Sequence, residues 1–330
     1  MSRSADGCSD IVRPSVTHRV AVGWVRHHRG VARTRYASDK GLTRRMITTM
    51  GGLGLLYVFV VVALIALGFS ALFVVIIAGG MLFAQWWFSD SMALHSMRAE
   101  VVTPEQAPQL HGLVDRLCAL ADMPKPRIAI ADTDIPNAFA AGRSQDRAVV
   151  CVTTGLLRRL DRDELEGVLS HELAHVAHRD VTVMTVASFA AILAGLLIRT
   201  TMWGGLMRDR RDNNAALVFV AVIVVSALVY VVSYILTAAL SRYRELAADR
   251  GGALLTGNPR GLASALQKIS GDVAQIPTQD LRQMEAVSSL AFIPALGSGR
   301  GFDLGKIFAS HPPLDKRLEN LAKVSTELGR

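Results

Sequence analysis

Long stretches without a single charged residue separate the apolar parts of this chain from its polar parts. The first runs from Ile47 to Ser89, and two later ones cover Val181 to Ile198 and Asn213 to Leu240. About 20 apolar residues cross the hydrocarbon core of a bilayer, so the first stretch can form two helices joined by a tight turn near residues 68–70. The later stretches can form a second hairpin, although 181–198 alone could also be a buried core helix. The pattern predicts four transmembrane helices in two hairpins.

The sequence outside these stretches has the pattern of a mixed α and β domain. Ala, Leu and Val recur at helical spacing in residues 104–120, and β-branched residues predict short strands at 127–131 and 147–152. Residues 137–143, which lie between these two, resemble another strand that ends in a turn. Residues 161–178 are rich in Leu, Glu and Ala, contain no proline and begin with acidic residues, which suits a helix N-terminus. The predicted fold class is therefore a mainly α integral membrane protein with an α+β domain that contains a small sheet.

These patterns divide the chain into five segments. They are a basic and disordered tail (1–45), the first transmembrane hairpin (46–89), the first part of the α+β domain (90–180), the second transmembrane hairpin (181–240) and the largely helical second part of the domain (241–330). Because a hairpin returns the chain to the side that it left, both parts of the domain are expected on the side of the tail.

The positive charge of the chain is concentrated at its N-terminus. The formal net charge is +8, and residues 1–50 carry ten Lys or Arg against three Asp, so the rest of the chain is nearly neutral. A basic tail before a membrane helix orients the protein and contacts anionic lipid, so the charge indicates a bilayer and not nucleic acid as the partner. We expect a multi-pass protein of the plasma membrane with a cytoplasmic N-terminus. This orientation would place the loop of the second hairpin outside the cell, where the positive-inside rule disfavours its four arginines: Arg199, Arg208, Arg210 and Arg211. Either the N-terminal charges determine the orientation, or the second hairpin is only partly inserted.

The motif that carries chemistry lies in the predicted helix 161–178. His171 and His175 stand four residues apart, so both imidazoles lie on one helix face and can reach one metal ion. Glu172 follows the first histidine and can reach a water on that ion without binding the ion. Two histidine ligands and a carboxylate general base are the arrangement of a zinc peptidase. Chance is the alternative for so short a motif, so the hypothesis needs a third ligand.

A candidate for that ligand lies far downstream, in a second predicted helix. Glu245 and Asp249 are four residues apart and share one helix face. A carboxylate that completes two histidines leaves a fourth position for water, as in catalytic zinc sites. Asp249 can accept the free ring N–H of a ligand histidine and so fix its orientation. In the alternative interpretation, both carboxylates are solvated partners of neighbouring arginines.

The distances of these residues from the membrane support the metal hypothesis. His175 stands about 9 Å of helix before Val181, and Glu245 about 7.5 Å of helix after Leu240. If residues 181–240 form one hairpin, both side chains emerge on the same side at nearly the same height. The spacing therefore places the metal just outside the bilayer.

Four motifs occur in the order found in HtpX-type membrane metalloproteases, which the chain resembles over about residues 45–325. They are His-Glu-Leu-Ala-His at 171–175, Ser-Arg-x-Arg-Glu-x3-Asp at 241–249, Asn-Ala-Phe-Ala at 137–140 and His-Pro-Pro-Leu-x2-Arg at 311–317. These proteases share a peptidase family with the CAAX prenyl endopeptidases. The resemblance implies a zincin-like catalytic domain with one zinc ion per chain, held by His171, His175 and Glu245, and with Glu172 as the catalytic base. It also implies proteolysis of misfolded or damaged membrane proteins at the cytoplasmic face, as quality control in the stress response.

The other two motifs offer contacts for the substrate or the transition state. Asn137 and Ala138 belong to a possible edge strand that could pair with the backbone of a substrate, although an ordinary sheet strand is an equal alternative. His311, on a rigid turn before two prolines, and Arg317, in the terminal helix, could donate to the oxyanion of the transition state. Their alternative is a helix-capping loop with a surface arginine.

The sequence thus predicts a membrane-bound zinc endopeptidase whose substrates are proteins or peptides. A membrane scaffold or chaperone-like protein with a structural zinc site is the alternative from another class, but such a site normally has four protein ligands. A prenyl-protein protease of the same family is a third hypothesis, and the short chain with four predicted spans argues against it.

Overall fold

The protein is predominantly helical, with one small sheet. The computed structural model describes residues 40–66, 71–180, 182–185, 187, 189, 194, 213–273 and 312–329. The elements follow in the order α1 (Lys40–Ala66), α2 (Ala71–Trp87), α3 (Ser89–Ser96), β1 (Ala99–Val101), α4 (Pro108–Ala121), β2 (Arg127–Ala131), β3 (Ala138–Ala141), β4 (Val149–Thr153), α5 (Thr154–Arg159), α6 (Arg162–Ala177), α7 (Asn213–Thr256), α8 (Pro259–Val273) and α9 (Leu314–Glu327).

The apolar stretches of the sequence form α1, α2 and much of α7. Among the described residues, α7 is the one helix that is long and apolar enough to cross a membrane, and the apolar part of α1, Met46–Val62, is shorter. Only 22% of the most apolar window of α7 is buried within the protein, which distinguishes this window from a core helix. Val220, Val224 and Leu228 are each more than half exposed and recur at helical spacing, so they form an apolar outer face.

Two helices of the structure extend past the predicted boundaries of the membrane hairpins. α1 begins at Lys40, inside the predicted tail, because the exposed Arg44 can continue the helix into water beyond its apolar part. α7 continues without a break past position 240, so the predicted membrane segment and the following domain share one helix. Outside the described residues lie the predicted turn near 68–70, the remainder of the tail, residues 195–212 and residues 274–311.

The sheet is mixed and is covered on both faces. Its strand order is β1-β2-β4-β3, in which β2 and β4 are parallel and the two outer strands pair antiparallel with them. Ala138, Ala140 and Val150 point to the larger core, which α4, α6, α8 and α9 complete. Phe139 and Cys151 point to the opposite face, towards α3. The sheet therefore supports α6 with one face, and β3 is an edge strand next to that helix.

The strand predictions are close to the observed elements. The strand predicted at 127–131 is β2. The strand with a terminal turn predicted at 137–143 is β3, which ends at Ala141 because Gly142 turns the chain with a φ of 122°. β4 begins two residues later than predicted and ends at Thr153. No pattern in the sequence predicts β1, since a strand of three residues shows no recognisable alternation.

The N-terminus of α6 is fixed by a reciprocal cap. The backbone N–H of Glu164 donates to Asp161 (3.0 Å), and the backbone N–H of Asp161 donates to the Glu164 carboxylate (3.0 Å). The Glu164 carboxylate also accepts from Ser264 (2.6 Å) and Lys268 (2.7 Å) of α8. The cap thereby fixes the start of α6 and also joins α6 to α8.

A glycine allows α6 and α7 to pack closely at the level of the histidine motif. A Cβ on Gly252 of α7 would lie 2.8 Å from the hydroxyl of Ser170 and 3.0 Å from the backbone nitrogen of His171. Those distances are shorter than carbon can approach without displacing a neighbour. Any side chain at this position would separate the helix that carries Glu245 from the helix that carries the two histidines.

Gly252→Ala is expected to destabilise the protein by about 1–3 kcal/mol, the usual range for overpacking, and to lower its zinc retention. Gly112→Ala in α4 is the control, because a Cβ there meets nothing within 4 Å and the change adds helix propensity. Thermal unfolding in detergent measures both variants. Equal melting temperatures for the two would show that the α6–α7 contact is not as tight as described.

Candidate metal centre

Two elements bring three potential metal ligands together. α6 supplies His171 and His175 from one face, and α7 supplies Glu245. The Nε2 atoms of the histidines are 3.1 Å apart, and the Glu245 oxygens lie 3.5 Å from His171 Nε2 and 3.3 Å from His175 Nε2. All three residues are buried, and their ligand atoms lie within 4.8 Å of one another. The structure thus brings together the three side chains that the sequence singled out.

A carboxylate lies behind each histidine. Asp249 is 2.9 Å from Nδ1 of His171, and Asp180 is 2.7 Å from Nδ1 of His175. When each Nδ1 donates its proton to its carboxylate, each Nε2 turns a lone pair towards the other and towards Glu245. Three electron-rich atoms facing one another repel unless a cation lies between them. This donor set, two imidazole nitrogens and a carboxylate oxygen, is that of a catalytic zinc site, so the residues fit the metal.

An arginine holds each of these carboxylates. Arg317 of α9 donates from Nε and Nη2 to the two oxygens of Asp249, at 2.8 and 2.6 Å, and its Nη1 lies 3.7 Å from Glu245. Arg244 of α7 forms an ion pair with Asp180, with Nε 2.9 Å from Oδ1, in a direction that does not make a hydrogen bond. Both arginines are buried, which requires such partners.

The electrostatic surroundings of the two histidines stabilise positive charge. Burial lowers the pKa of His175, but its bonds to Asp180 and Glu245 outweigh burial and raise the pKa to about 10. The pKa of His171 is raised in the same way, because Asp249 and Glu245 outweigh the effect of burial. Burial alone would raise the pKa of Asp180, yet Arg244 and His175 lower it to about 2. A pocket of this kind favours a divalent metal, which competes with protons for the imidazoles.

Glu172 lies beside the potential ligands on α6 and is only 3% exposed. Burial raises its pKa, the charge of Glu245 adds to the increase, and the two histidines oppose it. A carboxylate whose pKa is raised is a stronger proton acceptor than an exposed glutamate, as a general base requires. Its position and raised pKa are consistent with the role predicted from the sequence.

The other predicted contact residues have different surroundings. Arg317 is 2% exposed and is engaged by Asp249, so the geometry favours a positioning role over the predicted donor role. Asn137 and Ala138 are buried at the start of β3, where the Thr153 hydroxyl accepts from the Asn137 N–H at 2.9 Å. His311 lies outside the described residues.

No motif in the sequence predicts the pairing of Asp180 with Arg244. The structure places one oxygen of the Asp180 carboxylate against His175 and the other next to Arg244. The sequence offers one signal for this pair, because charged residues lie next to two of the candidate ligands. Arg244 directly precedes Glu245, and Asp180 lies five positions after His175.

Comparisons with known proteins show which sequences and which solved structure this chain is similar to. A sequence model of Peptidase family M48 matches residues 104–325. The chain is 56% identical to Protease HtpX homolog 1 of Streptomyces coelicolor, over 90% of this chain and 97% of that protein. It is 50% identical to a Protease HtpX homolog of Moorella thermoacetica, over 90% and 98% of the two chains, and 44% identical to Protease HtpX homolog 2 of Methanosarcina mazei, over 89% and 99%. The crystal structure of S. mikatae Ste24p is similar to 86% of this chain and 66% of that chain, with a TM-score of 0.48 and 16% identity.

A family match over most of the chain and close relatives over nearly their whole length lead to one conclusion. The chain belongs to Peptidase family M48, among proteases of the HtpX type, and is a metalloendopeptidase.

Proposed function

We propose that this chain is a membrane-bound zinc endopeptidase that cleaves misfolded or damaged membrane proteins at the cytoplasmic face, as quality control in the stress response. The observation that carries the proposal is the buried cluster of His171, His175 and Glu245 on helices that lead to the apolar stretches. His171, His175 and Glu245 would hold one zinc ion per chain, and Asp249 would orient His171.

The position of α7 supports a membrane-proximal site. Its 44 residues span about 66 Å, more than the roughly 40–45 Å of a whole bilayer. The uncharged part ends at Leu240, and Glu245 follows little more than one turn later. A cleft at this height can receive segments of membrane proteins that leave the bilayer.

The chemistry of the proposed reaction is divided among few residues. When bound, zinc supplies a Lewis acid that activates water and polarises the carbonyl of the scissile peptide. Glu172 takes the proton of the attacking water, holds it in its buried pocket and passes it to the leaving amine. Asp249 and Arg317 keep His171 in one tautomer and orientation throughout.

The edge strand β3 supports a proposal for substrate binding. The Thr153 N–H donates to the Asn137 carbonyl (3.0 Å), so the alternation of an antiparallel pair turns the backbone groups of Ala138 and Ala140 away from β4. A peptide could pair with these groups beside α6. Ala138 and Ala140 are 1% and 8% exposed, so a peptide reaches them only if the cleft opens.

The alternative of a scaffold with a structural zinc site has weaker support. Among the described residues the cluster offers three ligands, whereas structural zinc sites are normally closed by four. A buried carboxyl group with a raised pKa next to the ligands is also of no use to a structural site. A prenyl-protein protease would share this centre and would differ in its substrate.

Glu172→Gln should lower the rate of casein cleavage about 10²- to 10⁴-fold and leave the zinc content unchanged, because the change removes a base and not a ligand. Glu166→Gln is the matched control, since Glu166 is also a buried glutamate on α6 but pairs with Arg116. Metal analysis and casein cleavage on detergent-purified protein measure both quantities. Loss of zinc from Glu172→Gln, or cleavage at the parent rate, would contradict the assignment.

Glu245→Ala should lower zinc occupancy and cleavage together, since it removes an anionic ligand from the set. Glu319→Ala on the exposed surface of α9 is the control and should change neither. Full zinc content in Glu245→Ala would remove this residue from the ligand set and make His311 the next one to replace.

The proposed orientation can be tested by cysteine labelling of intact cells in a background without Cys8, Cys118 and Cys151. Gln109→Cys, on the exposed side of α4, should react with a membrane-impermeant thiol reagent only after the cells are opened. Asn213→Cys, at the first residue of α7, should react without opening if the second hairpin spans. Reaction of Gln109→Cys in intact cells would show that the orientation is the opposite of the one proposed. Protection of both positions would indicate a partly inserted hairpin.

A further inference from the structure

The turn that follows α6 is strained, and it returns the chain to the metal centre. His178 ends the helix, and Arg179 adopts a left-handed conformation with a φ of 57°, which is uncommon for any residue other than glycine. The N–H groups of His178 and Arg179 donate back to Ala174 (3.0 Å) and Val176 (3.2 Å), so the turn is held by the helix itself. A strained turn that the surroundings enforce is a feature found at functional sites.

The product of this turn is the contact between Asp180 and His175. The Oδ2 atom of Asp180 lies 2.7 Å from Nδ1 of His175, although the two residues are only five positions apart in sequence. The other oxygen faces Arg244 of α7 at 2.9 Å. The side chains of Asp180 and Arg244 are 1% and 7% exposed, so neither is a solvated surface group.

The same arrangement exists on the other histidine. His171, Asp249 and Arg317 form a chain of contacts from imidazole to carboxylate to guanidinium, and His175, Asp180 and Arg244 form a second one. A hydrogen bond from the outer nitrogen of an imidazole fixes its tautomer and ring direction and raises its basicity as a ligand. One carboxylate can serve one imidazole, so two ligands need two such partners.

We propose that Asp180 and Arg244 are positioning residues of the metal centre, with Asp180 directing His175 towards the metal and Arg244 holding Asp180 in place. This inference rests on the proposed zinc site but adds to it residues that take no part in the reaction. Arg244 directly precedes Glu245, so one turn of α7 provides both the third ligand and the support of the second. The seating of α7 against α6 then sets the geometry of all three ligands.

A purely structural ion pair is the rival explanation, and it makes a different prediction. Breaking a buried pair of charges destabilises a fold wherever the pair lies. A structural pair would therefore affect the melting temperature and leave the affinity of the folded protein for zinc unchanged. A positioning pair affects zinc affinity and the coordination geometry in protein that is still folded.

The test compares zinc affinity and zinc release for the detergent-purified full chain, by competition with a chelator of known affinity. Asp180→Asn should weaken zinc binding about 10- to 100-fold, as expected for the loss of such a partner, and speed zinc release. Asp90→Asn is the matched control, because Asp90 is also buried and paired with an arginine, Arg127 at 2.6 Å, but on α3. Cobalt substitution should show a changed visible spectrum in Asp180→Asn and the parent spectrum in Asp90→Asn.

The role of Arg244 is tested through Asp180. Arg244→Gln should weaken zinc binding in the parent but add little in the Asp180→Asn background, because it acts through that carboxylate. Arg244→Lys keeps the charge and should retain most of the affinity. If Asp180→Asn does not fold, the comparison of Arg244→Gln with Arg244→Lys decides, and equal zinc affinity of both with the parent overturns the inference.

Failure of this inference is distinguishable from failure of the proposed function. Parent affinity and an unchanged cobalt spectrum in Asp180→Asn, while the parent chain binds zinc and cleaves casein, overturn the inference alone. A parent chain that binds zinc and does not cleave casein overturns the proposed function, and the affinity comparison still decides the role of Asp180.

Discussion

The Nε2 atoms of His171 and His175 lie 3.1 Å apart, and Nδ1 of each ring faces a carboxylate. This arrangement depends on a positive charge between the two Nε2 atoms. Without that charge the lone pairs repel, and with it they become ligands. The elements around the two histidines keep this arrangement in place. The sheet supports α6, α8 holds its capped N-terminus, and Gly252 lets α7 approach closely enough for Glu245 to complete the set.

The same helix that completes the candidate metal centre also carries the apolar part that is proposed to enter the membrane. α7 runs unbroken from an apolar, outward-facing part to the part that carries Arg244, Glu245 and Asp249. In the proposed membrane-bound enzyme, the position of the apolar part in the bilayer would fix the height of the site, because both belong to one continuous helix. The proposal thus links membrane attachment and catalysis through one element.

Much of the centre could be predicted from the sequence because helices convert spacing into geometry. The four-residue separation of His171 and His175 is sufficient to place both on one face, and the match in height above the membrane supports Glu245 as the third ligand. Asp180 could not be predicted in its role, because its approach to His175 depends on a left-handed turn at Arg179 that no glycine announces. Arg317 looked like a surface or substrate-binding arginine, and only the packing of α9 on α7 shows that Asp249 holds it. The short strand β1 is defined by its pairing with β2 and not by its own composition.

The most direct test of this account is X-ray absorption at the zinc edge on the purified protein. The structure predicts a first shell of imidazole nitrogen and carboxylate or water oxygen, at about 2.0–2.2 Å, with two histidines in the multiple-scattering signal and no sulfur. A sulfur shell at about 2.3 Å, or a single histidine, would contradict a centre built from His171, His175 and Glu245.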